Sequence, residues 1–272
     1  MPATRRLSFS VTMVSFLLLH AACFTVLLVG FSWAGLALMA FLYIARMFAV
    51  TAGYHRYFSH RSYRLGRFSQ FLLAFAAQTS AQKGVLWWAA HHRDHHRYSD
   101  TDRDIHSPVT QGFWWSHVGW VLSDAYEAYD PAKIQDFARF PELRFLDRHH
   151  WICPWLLGIA TFAFGLVTGM GGWTALVWGF VLGTVLLFHG TFFINSLTHV
   201  WGTRRFETPD QSRNNFLLAL ITLGEGWHNN HHHYQAACRQ GIRWWEFDPT
   251  YYVLRALSWI RVVRDIRPFP AQ

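Results

Sequence analysis

The chain is short of cysteine, short of carboxylates and without the familiar cofactor fingerprints. Cys23, Cys153 and Cys238 are the only thiols among 272 residues, and they lie far apart. Without a CxxC pair, a disulfide framework and a four-cysteine iron–sulfur cluster are excluded within the chain. No GxGxxG segment is present to hold a flavin or a nicotinamide. Redox chemistry here would therefore take its electrons from another protein. No HExxH motif occurs, so a zinc hydrolase with an adjacent carboxylate base has no sequence support. Sixteen acidic residues face 24 Lys and Arg, leaving a net charge of +8 with histidine neutral. Such a balance serves nucleic acid, a phosphorylated substrate or an anionic membrane face. The apolar content decides for the membrane: 52% of residues are hydrophobic and 18% aromatic.

The mean hydropathy of +0.09 hides an alternation of long apolar runs and polar, histidine-rich stretches. Four runs, at about 7–31, 33–53, 151–170 and 173–194, reach the roughly 20 residues that a membrane-crossing helix needs. The first is too long for a signal peptide's apolar core, and no small-residue cleavage site follows it. The turns near 30–35 and 169–172 carry no Lys or Arg. Arg5 and Arg6 precede the first run, Arg56, Arg61, Arg64 and Arg67 follow the second, and Arg204, Arg205 and Arg213 follow the fourth. The positive-inside rule then puts both termini and the whole of 54–150 in the cytoplasm. The expectation is an all-α polytopic membrane protein, one domain over 1–272. Four transmembrane helices would carry a cytoplasmic helical cap built from 54–150 and 195–272. Phe68–Trp88 reads as an interfacial or partly buried helix, and Asn215–Gly224 is too short to span. Pro249–Arg267 reads as a basic interfacial helix. Arg46, inside the second run, either snorkels to the cytoplasmic edge or points into a polar cavity.

Against this background stand 17 histidines. Three clusters have ligand-like spacing: His55-Arg-Tyr-Phe-Ser-His60, His92-Arg-Asp-His95-His96 and His228-Asn-Asn-His231-His232. In the last two, positions i, i+3 and i+4 share one face of a helix. His55 and His60 would point about 140° apart on one regular helix, so a helix end between them is expected. His199, four residues after Asn195, shares a helical face with it. His91 and His233 adjoin clusters but break their spacing. His20, His106, His117, His149, His150 and His189 stand alone and read as ordinary structural residues. Nine clustered imidazoles exceed what one ion accepts, so two metals are implied. Asp94, Asp100, Asp102 and Asp104 are candidates to hydrogen-bond ligand N–H groups. An all-nitrogen pair beside a membrane suits iron and O2 chemistry, although spacing by itself leaves zinc and manganese open. Haem proteins and metal transporters typically place ligands inside spans, whereas these clusters lie outside.

The three boxes and their flanks resemble those of the membrane fatty acid desaturases. The likeness is closest to the branch of stearoyl-CoA desaturase and the bacterial and cyanobacterial delta-9 desaturases. The flanks that carry it are Thr51-Ala-Gly-Tyr-His55-Arg56, Asp102-Arg-Asp104-Ile-His106 and Gly112-Phe-Trp-Trp-Ser-His117-Val-Gly-Trp120. To these are added Gly224-Glu-Gly-Trp-His228-Asn-Asn-His231-His232 and Trp244-Trp-Glu-Phe-Asp248. The resemblance implies a di-iron site with ligands at His55, His60, His92, His95, His96, His199, His228, His231 and His232. It implies a water-holding Asn195, and a bend in the acyl tunnel at Gln82, Trp88 and Thr191. Trp87, Ala90 and His91 depart from the charged residues that the stearoyl-CoA branch places near the CoA group. No fused cytochrome b5 domain is present.

The expected activity is O2-dependent insertion of a cis double bond, at delta-9, into a saturated acyl chain. Acyl-CoA is the first choice of carrier, with phospholipid-bound chains as the alternative. Two Fe2+ ions and O2 would take part, with electrons from a ferredoxin, a rubredoxin or a cytochrome and its reductase. The expected setting is a bacterial inner membrane with the active site on the cytoplasmic side and no nucleic acid involved. The rival is a di-iron alkane or lipid hydroxylase, told apart by its product, an alcohol in place of an alkene.

Overall fold

The structure, a computed structural model, describes residue 7 and residues 9–270. Arg5 and Arg6, which carry part of the orientation argument, lie outside the described residues, as does Ser8 within the first expected span. The molecule is largely helical, and among the described residues only two two-residue strands form, β1 (Arg64–Leu65) and β2 (Val263–Arg264). They pair antiparallel, with Arg64 opposite Arg264.

Among the described residues three helices are long and apolar enough to cross a membrane: α1 (Val11–Val29), α2 (Trp33–Ser59) and α7 (Gly172–His199). The expected third span is different. Its helix, α6 (Ile152–Val167), has 16 residues and meets the length criterion only together with α5 (Pro141–Arg148), from which it turns by 72°. The membrane part therefore has three spans, or four if that bent pair crosses. Hydroxyl caps start α1 and α2. Ser10 accepts from the Met13 N–H, and Ser32 from the Gly35 N–H. Leu18, Phe24, Leu27 and Leu28 on α1 and Trp155, Ile159 and Leu166 on α6 face outward. That is the distribution a lipid solvent requires.

α2 and α7 pack closely, because α7 presents Gly179, Gly183 and Gly190 to it. A Cβ added at these positions would stand 3.0 Å from Leu38, 2.8 Å from the Arg46 guanidinium and 2.8 Å from the Tyr43 hydroxyl. Small residues at such a contact let the backbones approach. Arg46 does not reach the edge of the span, and its partners are a hydroxyl and backbone carbonyls. It is buried between these helices, donating to the Leu42 carbonyl and to Thr184 Oγ1.

α2 does not end between His55 and His60. From Ala49 to Ser59 it continues with wider turns, closed by i→i+5 bonds. The His60 N–H bonds the His55 carbonyl at 3.2 Å. This wider winding brings positions five apart much nearer to one face than a regular helix does. The stretch 68–88 is two helices and not one: α3 (Arg67–Gln78) and α4 (Val85–Tyr98), parted by a turn. Asp147 of α5 caps α4, its Oδ1 accepting from the Leu86 and Trp87 N–H groups. Arg93 of α4 donates to the Phe58 and Ser59 carbonyls, locking α4 to the end of α2. Beyond α7 come α8 (Phe216–Ile221), α9 (His228–His233) and α10 (Pro249–Trp259). The basic tail is thus helical only as far as Trp259.

Candidate metal centre

The nine clustered histidines meet at one place, where α2, α4, α7 and α9 converge. They form two groups. His55, His60, His92, His96 and His231 make one, and His95, His199, His228 and His232 the other. Within each group every histidine brings a ring nitrogen to within 4.8 Å of the others. α4 contributes to both, because His92 and His96 share one edge of its face and His95 lies beside them. α9 likewise sends His231 to the first group and His228 and His232 to the second. So short a helix needs outside support. The Asn214 side chain accepts from the N–H groups of Asn229 and Asn230. The Asn229 side chain accepts from the Arg205 and Phe206 N–H groups, and that of Asn230 donates to the Gln240 carbonyl. The two asparagines of the box therefore face away from the metal groups and tie down the loops behind them.

Carboxylates fix four of the rings. Asp104 accepts from His95 Nδ1 at 3.1 Å, Asp100 from His199 Nδ1 at 2.9 Å and Asp210 from His232 Nδ1 at 2.6 Å. Glu225 lies against His55 Nδ1, and it also pairs with the buried Arg56. A proton held on Nδ1 leaves Nε2 as a bare lone pair. Three such lone pairs, on His95, His199 and His232, converge in the four-histidine group. Bare lone pairs repel, so a cation fits among them. In the other group, successive Nε2 atoms run from His55 to His231 (2.9 Å), His96 (2.9 Å), His92 (3.0 Å) and His60 (3.0 Å). Metal–imidazole bonds of about 2.1 Å give edges of about 3.0 Å at right angles and about 3.4 Å in a tetrahedron. Five ring nitrogens gathered this closely could hold a metal ion.

Burial and mutual repulsion hold His92, His96, His228 and His231 well below the ordinary imidazole value. All four are neutral and able to donate a lone pair. Burial also lowers His232 to about 4, against the pull of Asp210. Burial opposes the charged form of His95 too, but Asp104, with Asp100 and Asp210, outweighs it and raises the group.

Of the four acidic residues expected near the rings, Asp100 and Asp104 take that place. Asp94 pairs with Lys133 on another side of α4, since position 94 lies off the face shared by 92, 95 and 96. Asp102 is exposed. Asp210, Glu225 and Gln240, whose side chain reaches His55 Nδ1 at 3.3 Å, escape sequence reading. They sit in loops, where spacing carries no period. Four histidines read as solitary, His106, His117, His189 and His20, have partners. His106 packs against His95 with the rings tilted, 4.3 Å between ring centres, and burial lowers it to about 3. His117 hydrogen-bonds His189, which in turn bonds His20. His149 and His150 join neither metal group.

The three tunnel candidates form one chain. Trp88 Nε1 donates to Gln82 Oε1 at 3.4 Å, and Gln82 Nε2 to Thr191 Oγ1 at 3.0 Å. Trp88, Thr191 and Asn195 line a cavity with His55, His92, His95 and His228, and Met47, Val50 and Thr51 also line it. Of the positions that depart from the stearoyl-CoA pattern, Trp87 and Ala90 are buried. Trp87 Nε1 donates to the Tyr126 carbonyl. His91 packs against Trp87 with the rings tilted, and burial lowers it to about 4.

The sequence profile of the fatty acid desaturase family matches residues 8–259. An sn-1 stearoyl-lipid 9-desaturase of Synechocystis sp. is 38% identical over 239 residues, 87% of this chain and 73% of its own. Delta-9 acyl-lipid desaturase 2 of Arabidopsis thaliana is 37% identical over 246 residues, 89% of this chain and 78% of its own. An acyl-CoA 5-desaturase of Anemone leveillei is 34% identical over 253 residues, 92% of this chain and 76% of its own. The chain belongs to the fatty acid desaturase family.

Proposed function

We propose that this fatty acid desaturase inserts a cis double bond, at delta-9, into a saturated acyl chain carried by a membrane lipid. The observation that carries the reading is the pair of buried imidazole groups, five and four strong, opening onto an apolar cavity. A methylene in mid-chain has no acidity, so no acid or base on the protein can activate it. Two iron ions, when bound, supply the O2-dependent oxidation that such a C–H bond requires. His55, His60, His92, His96 and His231 would hold one ion, and His95, His199, His228 and His232 the other. Asp100, Asp104, Asp210 and Glu225 orient the rings and make them better donors.

Asn195, beside His95 and His228 in the cavity wall, would hold a water there through its amide. Met47, Val50 and Thr51 exclude bulk water. Trp88, Gln82 and Thr191 position the chain, because methylenes offer no hydrogen-bond handle and only shape can select among them. The lipid carrier is favoured over acyl-CoA because Trp87 and Ala90 are buried and uncharged and His91 is neutral, a poor surface for CoA phosphates. Two of the relatives above bear lipid-desaturase names. Electrons would come from an external ferredoxin, rubredoxin or cytochrome, with the site on the cytoplasmic face of a bacterial inner membrane.

Expression in a host without delta-9 activity, followed by mass spectrometry of the intact lipids, tests the reading. A new double bond at carbon 9 of glycerolipid chains is expected. An alcohol at that carbon would make the protein a hydroxylase, and a product confined to the acyl-CoA pool would overturn the lipid carrier.

A further inference from the structure

The cavity beside the histidines encloses about 30 Å³. Sites that take a ligand the size of an acyl chain measure roughly 300–1,000 Å³. One wall must therefore yield. The α2–α7 wall is fixed by the glycine contacts described above, and the α4 wall by Asp147 and Arg93. The remaining wall is the segment that begins with α8 and reaches the cavity at Thr222 and Glu225.

α8 has the character of a lipid-facing element. Phe216, Leu217, Leu220 and Ile221 are all exposed, while Leu218 and Ala219 point inward. Its depth is set by Tyr43 of α2, whose hydroxyl donates to the Ile221 carbonyl at 2.8 Å. Tyr43 lies twelve residues before His55, on the order of 15 Å further along the span. An apolar face at that depth continues the lipid-facing surface of α2. The backbone accounting agrees, since carbonyls in hydrocarbon need donors. Leu218 O accepts from Thr222, Ala219 O from the Gly224 N–H, Ile221 O from Tyr43 and Leu223 O from Thr250. Both ends of the segment are built to turn. Asn215 caps the start through the Leu218 N–H. At the other end Leu223 (φ 54°) and Gly224 (φ 115°) both occupy the left-handed region, unusual for a leucine.

We propose that α8 is a bilayer-immersed wall of the acyl cavity, which turns between Asn215 and Leu223–Gly224 to admit the acyl chain of a membrane lipid sideways. Tyr43 is its latch, the one side chain of α2 that bonds the α8 backbone. This inference rests on the desaturase reading for the identity of the guest, but not for the position of α8.

The test uses the full-length, iron-loaded protein in phospholipid nanodiscs with Cys23→Ser as background. A nitroxide on Leu217→Cys should be relaxed several-fold more by dioxygen, which concentrates in lipid, than by a water-soluble nickel chelate. Greater relaxation by the chelate would place α8 in water and overturn the proposal, whatever the activity. In a second arm, Tyr43→Cys and Ile221→Cys are joined by a reducible bis-maleimide. The bridge should cut desaturation of distearoyl phospholipid at least tenfold with metal content unchanged, and reduction should restore it. Equal turnover with and without the bridge would overturn the gate. If the unbridged protein desaturates no acyl substrate at all, the desaturase reading fails and the gate has no guest, while the nitroxide result still decides where α8 lies.

Discussion

Asp210 accepts the Nδ1 proton of His232 at 2.6 Å across a sequence gap of 22 residues. Its other oxygen accepts from the N–H of Ser212 and the hydroxyl of Thr208. The carboxylate is therefore held by a turn of its own, and the ring orientation is inherited from that turn. Asp210→Asn should keep the fold but lose the strong acceptor, lowering metal content or turnover roughly 10–100-fold. Glu225→Gln should act similarly on the other group through His55. Metal analysis and activity within a factor of two of wild type for both variants would contradict the role given to these carboxylates.

The two histidine groups are separate enough to fail separately. His228→Ala removes one of four donors from one group, and His60→Ala one of five from the other. Each should leave about one iron per chain in place of about two, with turnover down by more than 100-fold. His149→Ala, outside both groups, should do neither. Retention of two irons by His228→Ala with normal turnover would remove that histidine from the set.

Stripping the metal should cost stability. Nine buried imidazoles with their ring nitrogens crowded together are a poor interior without a cation, and an ion that binds only the folded chain stabilises it by mass action. Thermal unfolding of chelator-treated protein should begin several degrees lower, and added Fe2+ should restore it. An unchanged transition would mean that the histidines satisfy one another without metal.

The Trp88–Gln82–Thr191 chain should decide where the double bond falls. Trp88→Ala removes the largest group in the cavity wall and one of the two bonds that hold Gln82. Products with double bonds at neighbouring carbons are expected, along with slower turnover. Regiochemistry that is identical in Trp88→Ala, Gln82→Ala and Thr191→Ala would place the positioning surface elsewhere.

Periodicity made much of this arrangement legible in the sequence. The i, i+3, i+4 spacing of His92, His95 and His96 is a property of any helix, so their common face follows from counting. His55 and His60 resist counting, because the wide winding of 49–59 leaves no trace in residue types. The third apolar run is long enough to span, but a 72° turn before Ile152 divides the helical stretch that contains it. Asp210, Glu225 and Gln240 reach the rings from loops, and tertiary folding alone decides which loop residue arrives. The chain from His117 through His189 to His20 is hidden for the same reason, each member lying on a different element.

Both histidine groups draw on the two ends of the chain. One takes His55, His60, His92 and His96 from the first hundred residues and His231 from the last fifty; the other joins His95 to His199, His228 and His232. The first is not complete until residue 231 has left the ribosome, nor the second until residue 232 has. A nascent chain can present at most four members of the first group and one of the second while its early helices are already entering the membrane. Metal insertion is thus a late event in biosynthesis, and a truncation anywhere before His228 would yield a membrane-inserted protein with neither group whole.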